Sequence, residues 1–156
     1  MTESTLVWAW MGLAVATFVV LLFRVAPYGR HLSTGWGPTI GQRMGWIIME
    51  LPGLLVFPVI YFMGTNAYEA VPLFFLAIWM MHYSNRALIT PMLMRVQPGT
   101  PASFSLNVII AGWITLFLHG YFNAAYLTEF GDQYTQDWFS DPRFFIGLSI
   151  YLTGFI

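Results

Sequence analysis

Two ionisable residues, Glu50 and Arg86, fall inside long apolar runs of this chain. A charge at the centre of a bilayer costs roughly 2.5–3.5 kcal/mol on insertion scales, so such residues face a cavity or a partner and mark candidate sites. Around Arg86, the residues Trp79, His82, Tyr83, Arg86 and Thr90 recur at intervals of three and four. That spacing predicts one shared helical face, with Phe75, Ile78, Met81 and Leu88 on the apolar opposite side. A guanidinium with its planar fork of donors suits a phosphate, and a tyrosine hydroxyl one turn away is a candidate acid. Glu50 has Trp46 one turn earlier on its own face. A protonated Glu50 carboxyl beside a tyrosine hydroxyl would present two donors to one carbonyl oxygen, the chemistry of an oxyanion hole. The same residues admit a plainer reading, in which Glu50 and Arg86 pair with each other as a structural salt bridge or snorkel to the interface.

Other polar residues carry weaker signals. His119 and Asn123, at i and i+4, suit hydrogen bonding between helices. His31, His82 and His119 have no metal-ligand spacing, and without cysteine there is no thiolate site, so no metal is expected. Phosphate-cradling glycine loops and Ser-His-Asp arrangements are missing from the sequence. A net charge of −1 gives no pull toward nucleic acid.

The elements that must position these residues are membrane helices. Apolar residues make up 58% of the chain and charged residues 8%, with a mean hydropathy of +0.66. So few charges could not clothe a soluble globule, whereas in lipid the composition is right and helices satisfy their own backbone. The chain therefore reads as all-α, a single transmembrane domain over 1–156 with about five spans: 5–23, 45–63, 70–94, 104–127 and 144–156. Segment 25–43 is an irregular Gly- and Pro-rich loop, Pro52 is expected to bend or re-cap the second helix, and 128–143 is an acidic loop. The fifth run would extend only about 20 Å against about 30 Å of hydrocarbon, so it is expected to be cut off in mid-helix. Arg24, Arg30 and Arg43 in the first loop and Arg95 in the third put those loops in the cytoplasm and the N-terminus on the non-cytoplasmic side.

Five stretches in order and register resemble the steroid 5α-reductase (3-oxo-5α-steroid 4-dehydrogenase) family. They are Pro27-Tyr28-Gly29-Arg30-His31, Trp46 through Met49-Glu50-Leu51-Pro52, His82-Tyr83-Ser84-Asn85-Arg86, Leu118-His119-Gly120-Tyr121, and Trp138 through Asp141-Pro142-Arg143-Phe144-Phe145-Ile146-Gly147. The resemblance implies the N-terminal part of a seven-helix enzyme of the bacterial inner membrane or endoplasmic reticulum. It implies reduction of the Δ4 double bond of a 3-oxo-steroid by NADPH. On that resemblance Glu50 and Tyr83 hold the C3 carbonyl, Tyr28, Asn85 and Arg86 lie toward the cofactor, and Trp46 lines the steroid pocket. Met49 precedes the glutamate where animal members carry Gln and plant-type members carry Met. Further cofactor contacts are expected on C-terminal helices beyond Ile156. Two other readings are reduction of another enone, enoyl or polyprenoid lipid on the same fold, and a non-catalytic lipid-binding membrane fragment.

Overall fold

The computed structural model describes residues 3–25, 35, 37–96 and 103–155. Three helices are long and apolar enough to cross a membrane: α1 (Glu3–Phe23), α2 (Gln42–Tyr61) and α5 (Leu106–Thr128). α1 is exposed along nearly its whole length, with Trp8, Phe18 and Leu22 each well over half exposed. That is an apolar face suited to lipid rather than to water.

The third apolar run is not a single regular helix. α3 (Ala70–Ser84) passes into a π-helical turn at Asn85–Ile89 and then into the short α4 (Thr90–Leu93). Pro91 supplies the physical reason. It has no N–H for the carbonyl four residues back, and its ring crowds that carbonyl, so the turn before it widens. The backbone N–H of Thr90 accordingly bonds to the carbonyl of Asn85, five residues back.

α2 is not re-capped at Pro52. The helix runs on through Pro52 and Pro58 to Tyr61. Its main partner is α5, where small residues allow close approach: Gly120 faces the backbone of Phe57, and Gly112 leaves the space that the Met49 side chain fills. One apolar cluster gathers Phe57, Tyr61, Ala67 and Ala124, and a second gathers Met49, Phe104 and Ile109.

The loops at the two ends meet in pairs. Residues Thr39–Gly41 (β1) and Ser103–Ser105 (β2) form an antiparallel ribbon with Ile40 opposite Phe104, where an irregular loop was expected. Arg43 Nη2 adds a 3.0 Å bond to the Met94 carbonyl at the same end. At the other end the Asn66 N–H donates to the Thr128 carbonyl (2.9 Å), and the Thr65 N–H donates to Glu129 Oε1 (3.2 Å). The loop before α2 and the loop before α5 therefore share one end of the bundle, as the arginine pattern required. The acidic loop contains a 3₁₀ turn, Gln136–Ser140, and leads into α6 (Pro142–Phe155).

Candidate functional site

Glu50 lies two turns into α2 and is 2% exposed. Arg86 enters from the π turn, and its Nε lies 2.8 Å from Glu50 Oε1. The two residues are thus in direct contact, as the plainer of the two sequence readings expects. The pairing is lopsided: the Arg86 side chain is 47% exposed, while the carboxyl is enclosed. Its second oxygen, Oε2, is buried without a hydrogen-bond partner among the described residues. A carboxyl whose Oε1 accepts from Arg86 can carry a proton only on Oε2. The Arg86 Cζ also lies 5.6 Å from the Trp46 ring centroid, a cation–π contact that fixes the guanidinium from its other side.

Tyr83 is buried because α2 offers it a glycine. A Cβ at Gly53 would collide with the Tyr83 ring, so only glycine lets the ring seat there. Trp79, one turn earlier, donates its indole N–H to the Gly53 carbonyl at 2.7 Å and stacks on Phe57 with centroids 4.0 Å apart. Its ring also lies 4.8 Å from Tyr83 and 5.2 Å from His119. An aromatic column thus fixes where the Tyr83 hydroxyl can point.

The expected stripe passes through the π turn: Thr90 still borders the second cavity with His82 and Arg86, and its hydroxyl makes a long 3.5 Å bond to the Asn85 side-chain oxygen. His119 and Asn123 depart from expectation. Asn123 Nδ2 donates to the His119 carbonyl at 2.8 Å and lies 3.1 Å from His119 Nδ1, both within α5, so this bonding is intrahelical. Tyr28, with the rest of its Pro27–His31 motif, lies outside the described residues.

Glu50, Tyr83, His82 and Arg86 all border one cavity of about 1170 Å³ between α1, α2, α3 and α5. Its walls are chiefly aliphatic, with Val20, Leu21, Met49 and Val108 among them, and also carry Arg24 at the end of α1 and Asn107 and Thr115 of α5. Binding sites for small molecules have this character, with a few convergent polar groups in an apolar enclosure of about 300–1,000 Å³. A second cavity of about 440 Å³ lies on the other side of Arg86 and is bordered by Trp46, His82, Asn85 and Tyr151. Sequence reasoning missed the part of α1 in the larger chamber, because an unbroken apolar helix has no residue that distinguishes a cavity wall from a lipid face. It also missed Asn107 and Thr115, single polar residues on α5 with no pattern of their own.

The fold and site define a helical membrane protein with a charged pair set into an apolar chamber. Comparison with known proteins narrows this. The chain is 33% identical over 141 residues to the steroid 5-alpha-reductase DET2 of Arabidopsis thaliana, covering 88% of this chain and 53% of that protein. It is 32% identical over 151 residues to 3-oxo-5-alpha-steroid 4-dehydrogenase 1 of Bos taurus (93% and 56%) and 33% identical over 132 residues to that of Homo sapiens (83% and 49%). Over the matched stretch the chain is similar to proteins of the steroid 5α-reductase family. It spans about half the length of the curated relatives it matches. No protein-family model matches it.

Proposed function

We propose that this chain forms the carbonyl-binding part of a membrane reductase that saturates the conjugated C=C of a Δ4-3-oxo-steroid. The observation that carries the reading is the buried Glu50 carboxyl, with Oε2 unpartnered, on the same apolar chamber as Tyr83. In this reading Oε2, carrying a proton, and the Tyr83 hydroxyl both donate to the C3 carbonyl oxygen. Two donors on that oxygen draw electron density from C5 and stabilise charge that develops on oxygen as C5 is attacked. Trp46 and Met49 set the shape of the chamber, and the aliphatic wall of α1 takes the fused rings.

The cofactor assigned by this reading is NADPH, which when bound supplies the hydride. The described residues fit part of it. Arg86 and Asn85, with Thr90 beside them on the second cavity, offer a guanidinium, an amide and a hydroxyl. That set suits one anionic or amide end of a dinucleotide and leaves its other charges to residues elsewhere in the protein. Arg86, bordering both cavities, orients Glu50 through Nε while its terminal nitrogens serve the second cavity.

The same reading gives five spans, with α3, the π turn and α4 as the third and α6 opening the fifth. It sets the ribbon end of the bundle in the cytoplasm. The deciding experiment follows NADPH oxidation by the full-length protein with a panel of 3-oxo-Δ4-steroids, enoyl thioesters and polyprenols. Turnover with the steroid enones alone is expected. Turnover only with thioesters or polyprenols would move the protein to another lipid reductase.

A further inference from the structure

Trp46 and Glu50 lie one turn apart on α2, yet Glu50 borders the larger chamber and Trp46 the smaller cavity. Arg86 stands between them and borders both spaces. Its Nε lies 2.8 Å from Glu50 Oε1, and its Cζ lies 5.6 Å from the Trp46 ring centroid. A half-exposed arginine has many rotamers open to it, so an aromatic face that attracts the guanidinium selects among them.

What holds the indole comes from another part of the chain. Phe104, the middle residue of β2, is fully buried and meets the Trp46 ring edge-on, with centroids 5.5 Å apart and planes at 67°. An aromatic pair of this kind has a preferred geometry, so it fixes orientation as well as burying area. Phe104 is itself fixed by its surroundings. It pairs with Ile40 of β1, and the Leu106 N–H beyond it donates to the Pro38 carbonyl at 2.9 Å. Gly45 of α2 leaves the space that Phe104 fills, since a Cβ there would collide with the Phe104 side chain. Contacts therefore run without a break from the ribbon through Phe104, Trp46 and Arg86 to the buried carboxyl.

We propose that Phe104 and Trp46 are positioning residues for the site. The ribbon seats Phe104, Phe104 orients the Trp46 indole, and the indole holds the Arg86 guanidinium where Nε meets Glu50 and the terminal nitrogens serve the smaller cavity. Trp46 thus shapes the chamber through Arg86 rather than by touching the steroid. The path of contacts stands on the geometry alone, whereas its effect on turnover rests on the proposed reductase activity.

The test uses the full-length protein. Trp46→Leu keeps an apolar side chain and removes the π face, whereas Trp46→Phe keeps a face for the guanidinium. Trp46→Leu is expected to weaken NADPH affinity about two- to thirtyfold, the range for one cation–π contact, and to lower kcat with the KM for the steroid unchanged. Trp46→Phe should recover most of both losses. Phe104→Leu, at a residue that borders neither cavity, should show the same pattern more weakly. A raised steroid KM with NADPH affinity held in Trp46→Leu would place Trp46 on the steroid and overturn the proposal. Equal losses in Trp46→Leu and Trp46→Phe, the result of packing alone, would overturn it as well. Thermal stability reads the path without any turnover. Phe104 and Arg86 share Trp46 as a partner, so their effects should not add. The fall in Tm caused by Phe104→Leu should be smaller in a Glu50→Gln/Arg86→Ala background, which has no guanidinium to place, than in the wild type. An equal fall in both backgrounds would overturn the path. Absence of enone reduction in the wild type would instead remove the reductase reading, and the stability comparison would still decide the positioning.

Discussion

Trp113 of α5 donates its indole N–H to the carbonyl of Ile48 at 2.6 Å. That carbonyl is the one whose helical partner would be the N–H of residue 52, and residue 52 is proline. In lipid a freed carbonyl has no water to turn to, so a side chain from the neighbouring helix takes the place of the missing donor. Trp113→Phe is therefore expected to destabilise the protein by roughly 0.6–1.7 kcal/mol, the range for interhelical hydrogen bonds in membranes. Pro52→Ala in the same background should recover most of the loss by restoring the backbone donor. Thermal unfolding of the two single variants and the double variant in detergent checks this. Equal destabilisation by Trp113→Phe with proline or alanine at position 52 would show that the bond does not compensate the proline.

Glu50→Gln should leave the fold intact and remove most turnover. Gln keeps the volume and an N–H donor in place of Oε2, and its oxygen can still accept from Arg86, but the acidic proton assigned to Oε2 is gone, so the residual rate measures how far a neutral donor suffices. Complete loss of one oxyanion-type donor costs on the order of 10²–10³ in rate, which bounds the effect. Steady-state kinetics on a monodisperse preparation provides the measurement, and wild-type kcat there ends the assignment.

Labelling of single cysteines at positions 33 and 65 with a membrane-impermeant reagent tests the topology. Thr65 belongs to the end of the bundle where Glu129 and Thr128 meet it. Position 33 precedes β1 in the sequence, and β1 lies at the opposite end. The two sites are expected to react from opposite sides of the membrane, with 33 cytoplasmic. Reaction of both from one side excludes the arrangement.

The placement of α1, α2 and α5 was legible because each is an apolar run followed by a charged or turn-forming residue (Arg24, Gly64 and Glu129), and they begin and end within about three residues of the expected limits. The ribbon was not, since Thr39–Gly41 and Ser103–Ser105 are too short to show an alternating pattern and pair across more than 60 positions. The π turn did leave a signal, because Pro91 sits five residues after Arg86 in an otherwise helical run. Glu50 and Arg86 could each be singled out by the cost of a charge in lipid. Spacing along one chain, however, says nothing about whether residues on different helices touch, and the choice between ion pair and independent roles needed coordinates.

Asp141 and Arg143 offer a pH test outside the spans. The Asp141 carboxylate accepts from the Arg143 backbone N–H at 2.8 Å, from Nε at 3.0 Å and from Nη2 at 2.7 Å, and the Arg143 Cζ lies 4.7 Å from the Trp138 ring centroid. These bonds hold the Asp141 carboxyl below its ordinary value of 3.8. A depressed folded-state value means stabilisation that is complete above the ordinary carboxylate range and is lost as pH falls through the folded value. Asp141→Asn should therefore lower Tm modestly at neutral pH, and the gap from wild type should close as pH falls through the depressed folded value, below 3.8. A gap independent of pH would assign the effect to packing rather than charge.

Tyr83 and Arg86 are three residues apart, yet the structure gives them different neighbours, and their variants are expected to behave differently. Tyr83→Phe removes one hydroxyl and leaves the ring on Gly53, so kcat should fall while NADPH affinity and Tm hold. Arg86→Ala acts on two partners at once. It leaves a carboxyl that is 2% exposed without its cation, which destabilises by about 3–5 kcal/mol when that carboxyl stays ionised, less to the extent that it takes up a proton. It also removes the guanidinium from the second cavity, and a charge-assisted contact of roughly 1.5–3 kcal/mol corresponds to about ten- to a hundredfold in cofactor affinity. Arg86→Lys restores a charge without the fork, so it should recover stability further than it recovers NADPH binding. Glu50→Gln/Arg86→Ala separates the two effects, because a neutral amide needs no cation. The double variant should regain much of the lost Tm and none of the lost NADPH affinity. Wild-type NADPH affinity in that stable double variant would leave Arg86 a structural partner of Glu50 and nothing more.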